Sequence, residues 1–304
     1  MPTRAIHAGR DDWLYLRQQI AEDCSTSRVC VVTDARSVEL QRRFRALHAE
    51  GCFVIPNPWD VGSARLLCAL GFPALATTSS GFAWSTGHRD NQVTLDEALA
   101  HFRLIAAAAD VPVSADFRDG FAVDPEGVAA NVARAIETGI AGLSIEDSTG
   151  DAEHPLFGFE LAVARIAAAR QAIDSCGSGV VLTARSEGFI AGRPDLADTM
   201  RRLTAFAEAG ADCVYAPGIR TQEQITTVVR GVAPTPVNVL VGAPFTTVEQ
   251  LAALGVRRIS VGGALARSAW GGFLRAAREI AGHGTFTAFS DAVPFADIEG
   301  LFEN

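Results

Sequence analysis

Asp116, Glu146 and Arg185 combine residue types and spacing that suit the capture of a small anion. Each follows directly on a short apolar run, and the three runs are consecutive along the chain. Carboxylate oxygens are the hard donors that Mg²⁺ prefers, with water and substrate oxygens completing an octahedron. A guanidinium offers a planar fork to a carboxylate or a phosphate. Similar run-end positions hold Asn57, Asp60, Asp147, Asn238 and the small residues Ser79, Ser80 and Gly81. The small residues leave room for backbone N–H groups to approach an anion. Each position also has a structural reading. An Asp there can cap the next helix, Glu146-Asp147 can be a solvated turn, and Arg185 can pair with a neighbouring carboxylate. Their joint occurrence on three successive runs favours one shared pocket.

Such positions converge only in a particular fold. From residue 52 onward a β-branched run alternates with an Ala/Leu/Arg-rich amphipathic segment. The runs fall at 52–55, 74–78, 111–115, 142–145, 180–184, 213–216, 237–241 and 258–261. Helical patterns lie between and after them at 62–70, 95–109, 126–138, 159–174, 196–209, 221–230, 247–254 and 264–281. Gly71, Gly139, Gly210 and Gly255 stand where helices should stop. Strict alternation implies parallel strands joined by crossovers, and an eightfold count closes as a (β/α)₈ TIM-type barrel with its site at the C-terminal strand ends. An open doubly wound sheet usually shows a glycine-rich phosphate turn after its first strand; here that strand ends in NPWDVGSA.

The predicted organisation is an N-terminal extension (1–50), a barrel (51–282) and a C-terminal helical tail (283–304). In the extension, 11–23 and 37–49 read as helices and 29–33 as a strand; a barrel plug, an arm and an oligomer contact all fit. The tail carries Phe286, Phe289, Phe295 and Phe302, so it should pack on the barrel or on a partner subunit.

A net charge of −9 without a basic run argues against nucleic acid. No apolar stretch reads as a membrane span or a secretory signal, so a cytoplasmic location is expected. The six cysteines form no CxxC pair and read as reduced, structural thiols.

The ordered motifs NPWDVGSARLLCALGFPALATTSSGFAWSTGHRD, PVSAD, GLSIEDS and LTARSEG, followed by RRLTAFAEAGADCVYAPG, PVNVLV and LGVRRISVGG, carry a family resemblance. Over about residues 44–282 the chain resembles the isocitrate lyase / phosphoenolpyruvate mutase superfamily. That resemblance implies a barrel in a homodimer or homotetramer, commonly with a swapped helix, and a Mg²⁺-dependent site for small 2-oxo or hydroxy carboxylates. It further implies that Ser80, Gly81 and Phe82 receive the substrate carboxylate, and that Asp90, Asp116 and Glu146 form the metal shell. Arg185 would contact substrate, with Asn238 in a strand-end segment common to the family.

Two departures qualify the expected activity. Arg118 stands where the family usually has a second acidic residue, which removes a ligand and adds positive charge near the ion. The KKCGH loop of the classical lyases is replaced by EDSTGDAEHPLFG, without cysteine or lysine, and His154 is its one obvious acid–base group. The expected reaction is C–C cleavage through an enolate-like intermediate, with Arg185 and His154 as catalytic candidates. The alternatives are a non-catalytic carboxylate-binding barrel and a phosphonate mutase or hydrolase.

Overall fold

The computed structural model describes residues 34–302. The helix expected at 11–23, the strand expected at 29–33, and Cys24 and Cys30 lie outside the described residues. Eight parallel strands form one sheet: β1 (Phe53–Ile55), β2 (Leu75–Ala76), β3 (Val113–Asp116), β4 (Gly142–Glu146), β5 (Val181–Arg185), β6 (Cys213–Tyr215), β7 (Val237–Leu240) and β8 (Arg258–Ser260). The hydrogen-bonded order is β1-β8-β7-β6-β5-β4-β3-β2. The seam between β1 and β2 is bridged where Ala76 N–H donates to Pro56 O at 3.0 Å. The sheet is thus a barrel, as the alternation predicts.

Helices on the outside follow the expected spans closely: α2 (Val61–Ala69), α4 (Leu95–Ala108), α5 (Pro125–Ile136), α6 (Phe159–Ser175), α7 (Leu196–Glu208), α8 (Gln222–Gly231), α9 (Val248–Ala253) and α10 (Ala264–His283). Their starts are set by side-chain caps. Asp60, Thr94, Asp124, Asp195, Thr221 and Thr247 each accept a hydrogen bond from a first-turn N–H. A short helix that periodicity did not reveal, α3 (Ser79–Ser85), starts three residues after β2, capped by Thr78.

The end of the barrel opposite the strand C-termini is closed by α1 (Ala35–Ala49). Its Leu40 and Phe44 pack with Phe53, Ala74, Ala141 and Val181, which lie at or just before the starts of four strands. Gly142 makes this approach possible, because a Cβ there would lie 2.5 Å from Phe44 Cε1. Of the three roles the sequence allowed the extension, residues 35–49 act as a plug. Above Phe44 the interior holds polar side chains. Arg258 Nη1 donates to Thr183 Oγ1 across the barrel at 2.8 Å, and Asn238 Nδ2 donates to Ser260 Oγ at 3.0 Å.

Beyond α10 the chain makes a turn at Thr287–Asp291 and a final helix, α11 (Phe295–Gly300). Glu279 ties the turn down by accepting from Thr285 and Thr287 hydroxyls and from the Thr287 and Ala288 N–H groups. Phe273, Phe286, Phe289 and Phe295 nevertheless remain exposed. No helix among the described residues is long and apolar enough to cross a membrane.

Candidate active site

The strand register sets Glu146 beside Arg185 and Arg185 beside Tyr215 at the C-terminal ends of β4, β5 and β6. Asp116 ends β3. Arg185 binds three carboxylates at once. Nη1 reaches Asp116 Oδ1 at 2.8 Å, Nη2 reaches Glu146 Oε2 at 3.2 Å, and Nε donates to Glu187 Oε1 at 2.8 Å. Its guanidinium also lies over the Tyr215 ring, 5.1 Å from the centroid. The other side of Asp116 is fixed as well: Oδ2 accepts from Ser79 N–H at 2.9 Å, and its own N–H donates to Thr77 Oγ1 at 2.8 Å. Asn57 laces three strand ends together, accepting from Val261 and Gly262 N–H and donating to Thr77 O.

One cation among three carboxylates leaves an electrostatic imbalance. Burial pushes the Glu146 pKa well up, the Arg185 charge opposes it, and the neighbouring carboxylates Glu187 and Asp116 push it up again. Glu187 is raised too, first by burial, with Arg185 opposing. Burial alone would lower the Arg185 pKa, but the charges of Glu187, Glu146 and Asp116 drive it well above its ordinary value. Arg185 is therefore permanently charged, and the site has an appetite for more positive charge. Tyr215, buried beside them, has its pKa pushed up to about 12 and keeps its phenolic proton.

The adjacent pair Glu146-Asp147 is divided between two tasks. Glu146 faces the mouth, whereas Asp147 is buried behind it. Asp147 Oδ1 accepts from Glu187 N–H at 2.8 Å and Oδ2 from Arg202 Nη1 at 3.1 Å. Arg202 continues to Asp198 Oδ2 and to Phe157 O. This buried relay holds the backbone of Glu187, and through it one side of the Arg185 cluster.

A cavity of about 440 Å³ opens over the cluster, within the range of small-molecule sites. Glu146, Arg185 and Glu187 line its floor; Ser79, Arg89, Asp90, Arg118 and Ser148 line its sides. The sequence-predicted residues divide accordingly. Asp90, Glu146 and Arg185 line the cavity, and Asp116 is joined to them through its ion pair with Arg185. Within the α3 turn Ser79 lines this cavity, whereas Ser80, Gly81 and Phe82 do not; Phe82 lines a small adjoining cleft with Asp116 and Arg118. Ser80 Oγ meets Thr78 Oγ1 at 3.2 Å, Gly81 is buried against Trp59, and Phe82 stacks on His101 with ring centroids 4.0 Å apart. Asn238 lies inside the barrel, two residues before the end of β7, and does not line the cavity. His154 does not reach it either. Its loop folds as a hairpin, with a Ser148–Leu156 bridge and Thr149 N–H donating to Pro155 O, and leaves the histidine exposed. Asp60 is a helix cap, the structural reading of that position. Sequence reasoning missed Glu187. Its signal was its position two residues beyond Arg185, where strand alternation keeps side chains on one side.

The family model for phosphoenolpyruvate phosphomutase matches residues 44–281, which is the whole barrel with its plug helix's end. The chain belongs to the phosphoenolpyruvate phosphomutase family. A Burkholderia cenocepacia J2315 structure, provisionally assigned as a lyase/mutase, is 47% identical with a TM-score of 0.86, covering 89% of this chain and 98% of that one. Oxaloacetate decarboxylase of Pseudomonas putida (strain GB-1) is 30% identical over 72% of this chain and 77% of its own length. The structure of 2,3-dimethylmalate lyase, a member of the PEP mutase/isocitrate lyase superfamily, is 25% identical with a TM-score of 0.76, covering 88% and 94%. These three relatives carry lyase or lyase/mutase assignments, and this family member has the same barrel.

Membership raises the question of Mg²⁺. Among the described residues no three His, Cys, Asp or Glu side chains converge closely enough to hold an ion by themselves. Mg²⁺ seldom asks for that, since it usually retains several waters and takes one or two carboxylates plus substrate oxygens. The donors present are all carboxylate oxygens, and Glu146 is a buried carboxylate short of positive charge. Asp90 is also raised, first by the chain packed around it and next by the Asp116 charge, although its outer side is open to solvent. The donor set fits a hydrated Mg²⁺.

Proposed function

We propose that this chain cleaves a C–C bond in a small 2-oxo or 2-hydroxy carboxylate, with oxaloacetate-type β-decarboxylation as the reaction that the site suits best. The observation that supports it is the Arg185 cluster: a permanently charged guanidinium and carboxylates from successive strands, exposed on one side to a small-molecule cavity. The named relatives point the same way, being an oxaloacetate decarboxylase and a dimethylmalate lyase.

Asp116, Glu146 and Asp90 would hold Mg²⁺, directly or through water. Bound there, the ion supplies Lewis-acid polarisation of the substrate's carbonyl and carboxylate oxygens. The protein's own groups do the rest. Arg185 keeps Asp116, Glu146 and Glu187 from repelling one another apart, while the Ser79 N–H orients the Asp116 carboxylate and Thr77 Oγ1 anchors the Asp116 backbone. Donors that are already oriented need no reorganisation as charge builds on the enolate oxygen. In β-decarboxylation the C3–C4 bond breaks, its electron pair passes into the C2–C3 enolate, and C4 leaves as CO₂. A proton then adds to C3. Beyond the proposed metal ligand Glu146, the loop that replaces KKCGH lines the cavity with Ser148 alone, and we assign that proton to water entering the open mouth.

Titration with Mg²⁺ and oxalate, an enolate mimic, tests this reading. We expect a rise in melting temperature at millimolar ligand that needs both components; an unchanged melting curve would count against it. A phosphonate reaction is the second reading, favoured by Arg89 and Arg118 on the cavity wall, which suit a phosphono group. It predicts turnover of a phosphonate substrate and none of oxaloacetate.

We also propose a homodimer or homotetramer. The support is the row of exposed aromatic side chains on α10 and the tail, with Phe273 60% and Phe295 80% exposed, which a partner subunit would cover. Sedimentation of the full chain at micromolar concentration would show a monomer if that is wrong.

A further inference from the structure

Arg118 is the departure that the family pattern does not absorb, and the structure gives it a definite place. It lines the cavity beside Asp90 and Glu146. Its backbone is left-handed, with φ 48°, a conformation that costs a non-glycine residue about 1 kcal/mol. The surroundings hold it there. Arg118 O accepts from Glu146 N–H at 2.8 Å, which ties the loop to β4. Asn131 Nδ2 donates to Gly120 O and Phe121 O, at 2.9 and 3.2 Å. The buried Arg165 donates to Asp119 O and Ala122 O while its guanidinium stacks on Phe157, 3.9 Å from the ring centroid. A loop this firmly tied presents its side chain rather than letting it wander.

The side chain itself is uncommitted. Among the described residues the Arg118 guanidinium donates no hydrogen bond and forms no ion pair; its neighbours are the Phe121 ring, 5.6 Å from the centroid, and the field of Asp90. Arg185 is the opposite case, hydrogen-bonded to Asp116 and Glu187 and ion-paired with Glu146. An anionic group entering the cavity therefore finds its free fork on Arg118. Arg89, exposed at the rim of the same cavity, adds a second positive charge.

We propose that Arg118 determines specificity: it receives the distal carboxylate of a substrate whose 2-oxo or 2-hydroxy acid end faces Asp116, Glu146 and Asp90. The chain then selects dicarboxylates over monocarboxylates of the same length. This rests on the function proposed above and narrows its substrate class.

Malate and 2-hydroxybutyrate share the 2-hydroxy acid end and differ by a carboxylate for a methyl at the far end. Calorimetric titration of the full chain with each, in Mg²⁺ and again in EDTA, reads the preference without any turnover. A charge-assisted hydrogen-bonded pair predicts a preference for malate of about tenfold or more. Arg118→Gln should erase it by weakening malate alone, Arg118→Lys should keep part of it, and Arg89→Gln should reduce it less. Gln adopts the left-handed conformation no worse than Arg, and no side-chain hydrogen bond among the described residues is lost. If Arg118→Gln preserves the preference, or weakens both ligands equally, the inference is overturned. Wild-type binding of oxalate without preference for malate would overturn it too and leave the proposed function standing. Binding of none of the three would overturn both.

Discussion

The two ends of the barrel solve opposite problems. At the closed end, Phe44 of α1 is fully buried among apolar side chains from four strand starts, and the fit is tight enough to demand glycine at 142. At the mouth, Asp116, Glu146 and Glu187 crowd round Arg185 with less positive charge than they need. The first arrangement is a source of stability. The second is electrostatically costly, and clusters of this kind are characteristic of functional sites. The difference teaches where each end should fail: a change at the plug should cost fold stability and spare ligand binding, whereas a change at the mouth should cost both activity and local order.

The largest effect is expected from Arg185→Met. It leaves three carboxylates without their shared cation, so turnover should fall at least ~10³-fold and stability by about 3–5 kcal/mol, as for other broken buried pairs. Steady-state kinetics and urea unfolding read the two separately; a variant that stays active would erase the contrast between the two ends. Phe44→Ala should come next, losing about 3–5 kcal/mol to the cavity it opens. Oxalate affinity of the folded fraction should be unchanged, and a parallel loss of affinity would show that the plug and the mouth are not independent.

How much of this was legible in the sequence differs between the ends for a physical reason. Asp116, Glu146 and Arg185 could be read because a strand's last residue maps directly onto the barrel mouth. Asn238 sits two residues before its strand ends, inside the barrel, a depth that the run of apolar residues did not reveal. The chain turns helical at Ser79, a turn the periodicity does not announce, so of that run only Ser79 lines the main cavity. His154 had the right chemistry in the right loop, but the hairpin between Ser148 and Leu156 holds it outward. Helix α1 was visible as a helix, yet its role was not. A plug is defined by contacts with strand starts as remote in the chain as Ala141 and Val181, and no local pattern reports that.

A smaller effect tests the plug through pH. His48 sits edge-on between Phe44 and Phe53, its Nδ1–H donating to Phe44 O at 2.8 Å, and its pKa is lowered to about 4. Burial is the main cause, helped by the Arg258 and Arg45 charges and opposed by Asp212. His101, stacked on Phe82, is lowered to about 4 by burial, with Asp60 opposing. Between pH 6.5 and about 4 the unfolded chain therefore binds protons that the folded chain refuses. Their stabilising contribution is complete above pH 6.5 and is lost as the pH falls to about 4, by on the order of 3 kcal/mol for each ring. His48→Gln should flatten this slope in urea titrations at successive pH values, and an unaltered slope would mean the ring is not the buried neutral group described.

The smallest effect is expected at the tail. Glu279→Gln weakens the acceptor that holds Thr285, Thr287 and Ala288, so amide exchange at 285–291 should accelerate while the melting temperature of the barrel stays within about 1 °C of wild type. A cooperative loss of the whole fold would make the tail part of the barrel's core.

The central claim is that the Arg185 cluster is a working C–C-cleaving site. Pyruvate formed from oxaloacetate, followed over the spontaneous background with purified wild type and Arg185→Met in the same Mg²⁺ buffer, tests it most directly. The account predicts Mg²⁺-dependent pyruvate release by wild type that disappears in a variant still folded by circular dichroism. Equal rates for wild type, variant and buffer alone would contradict it.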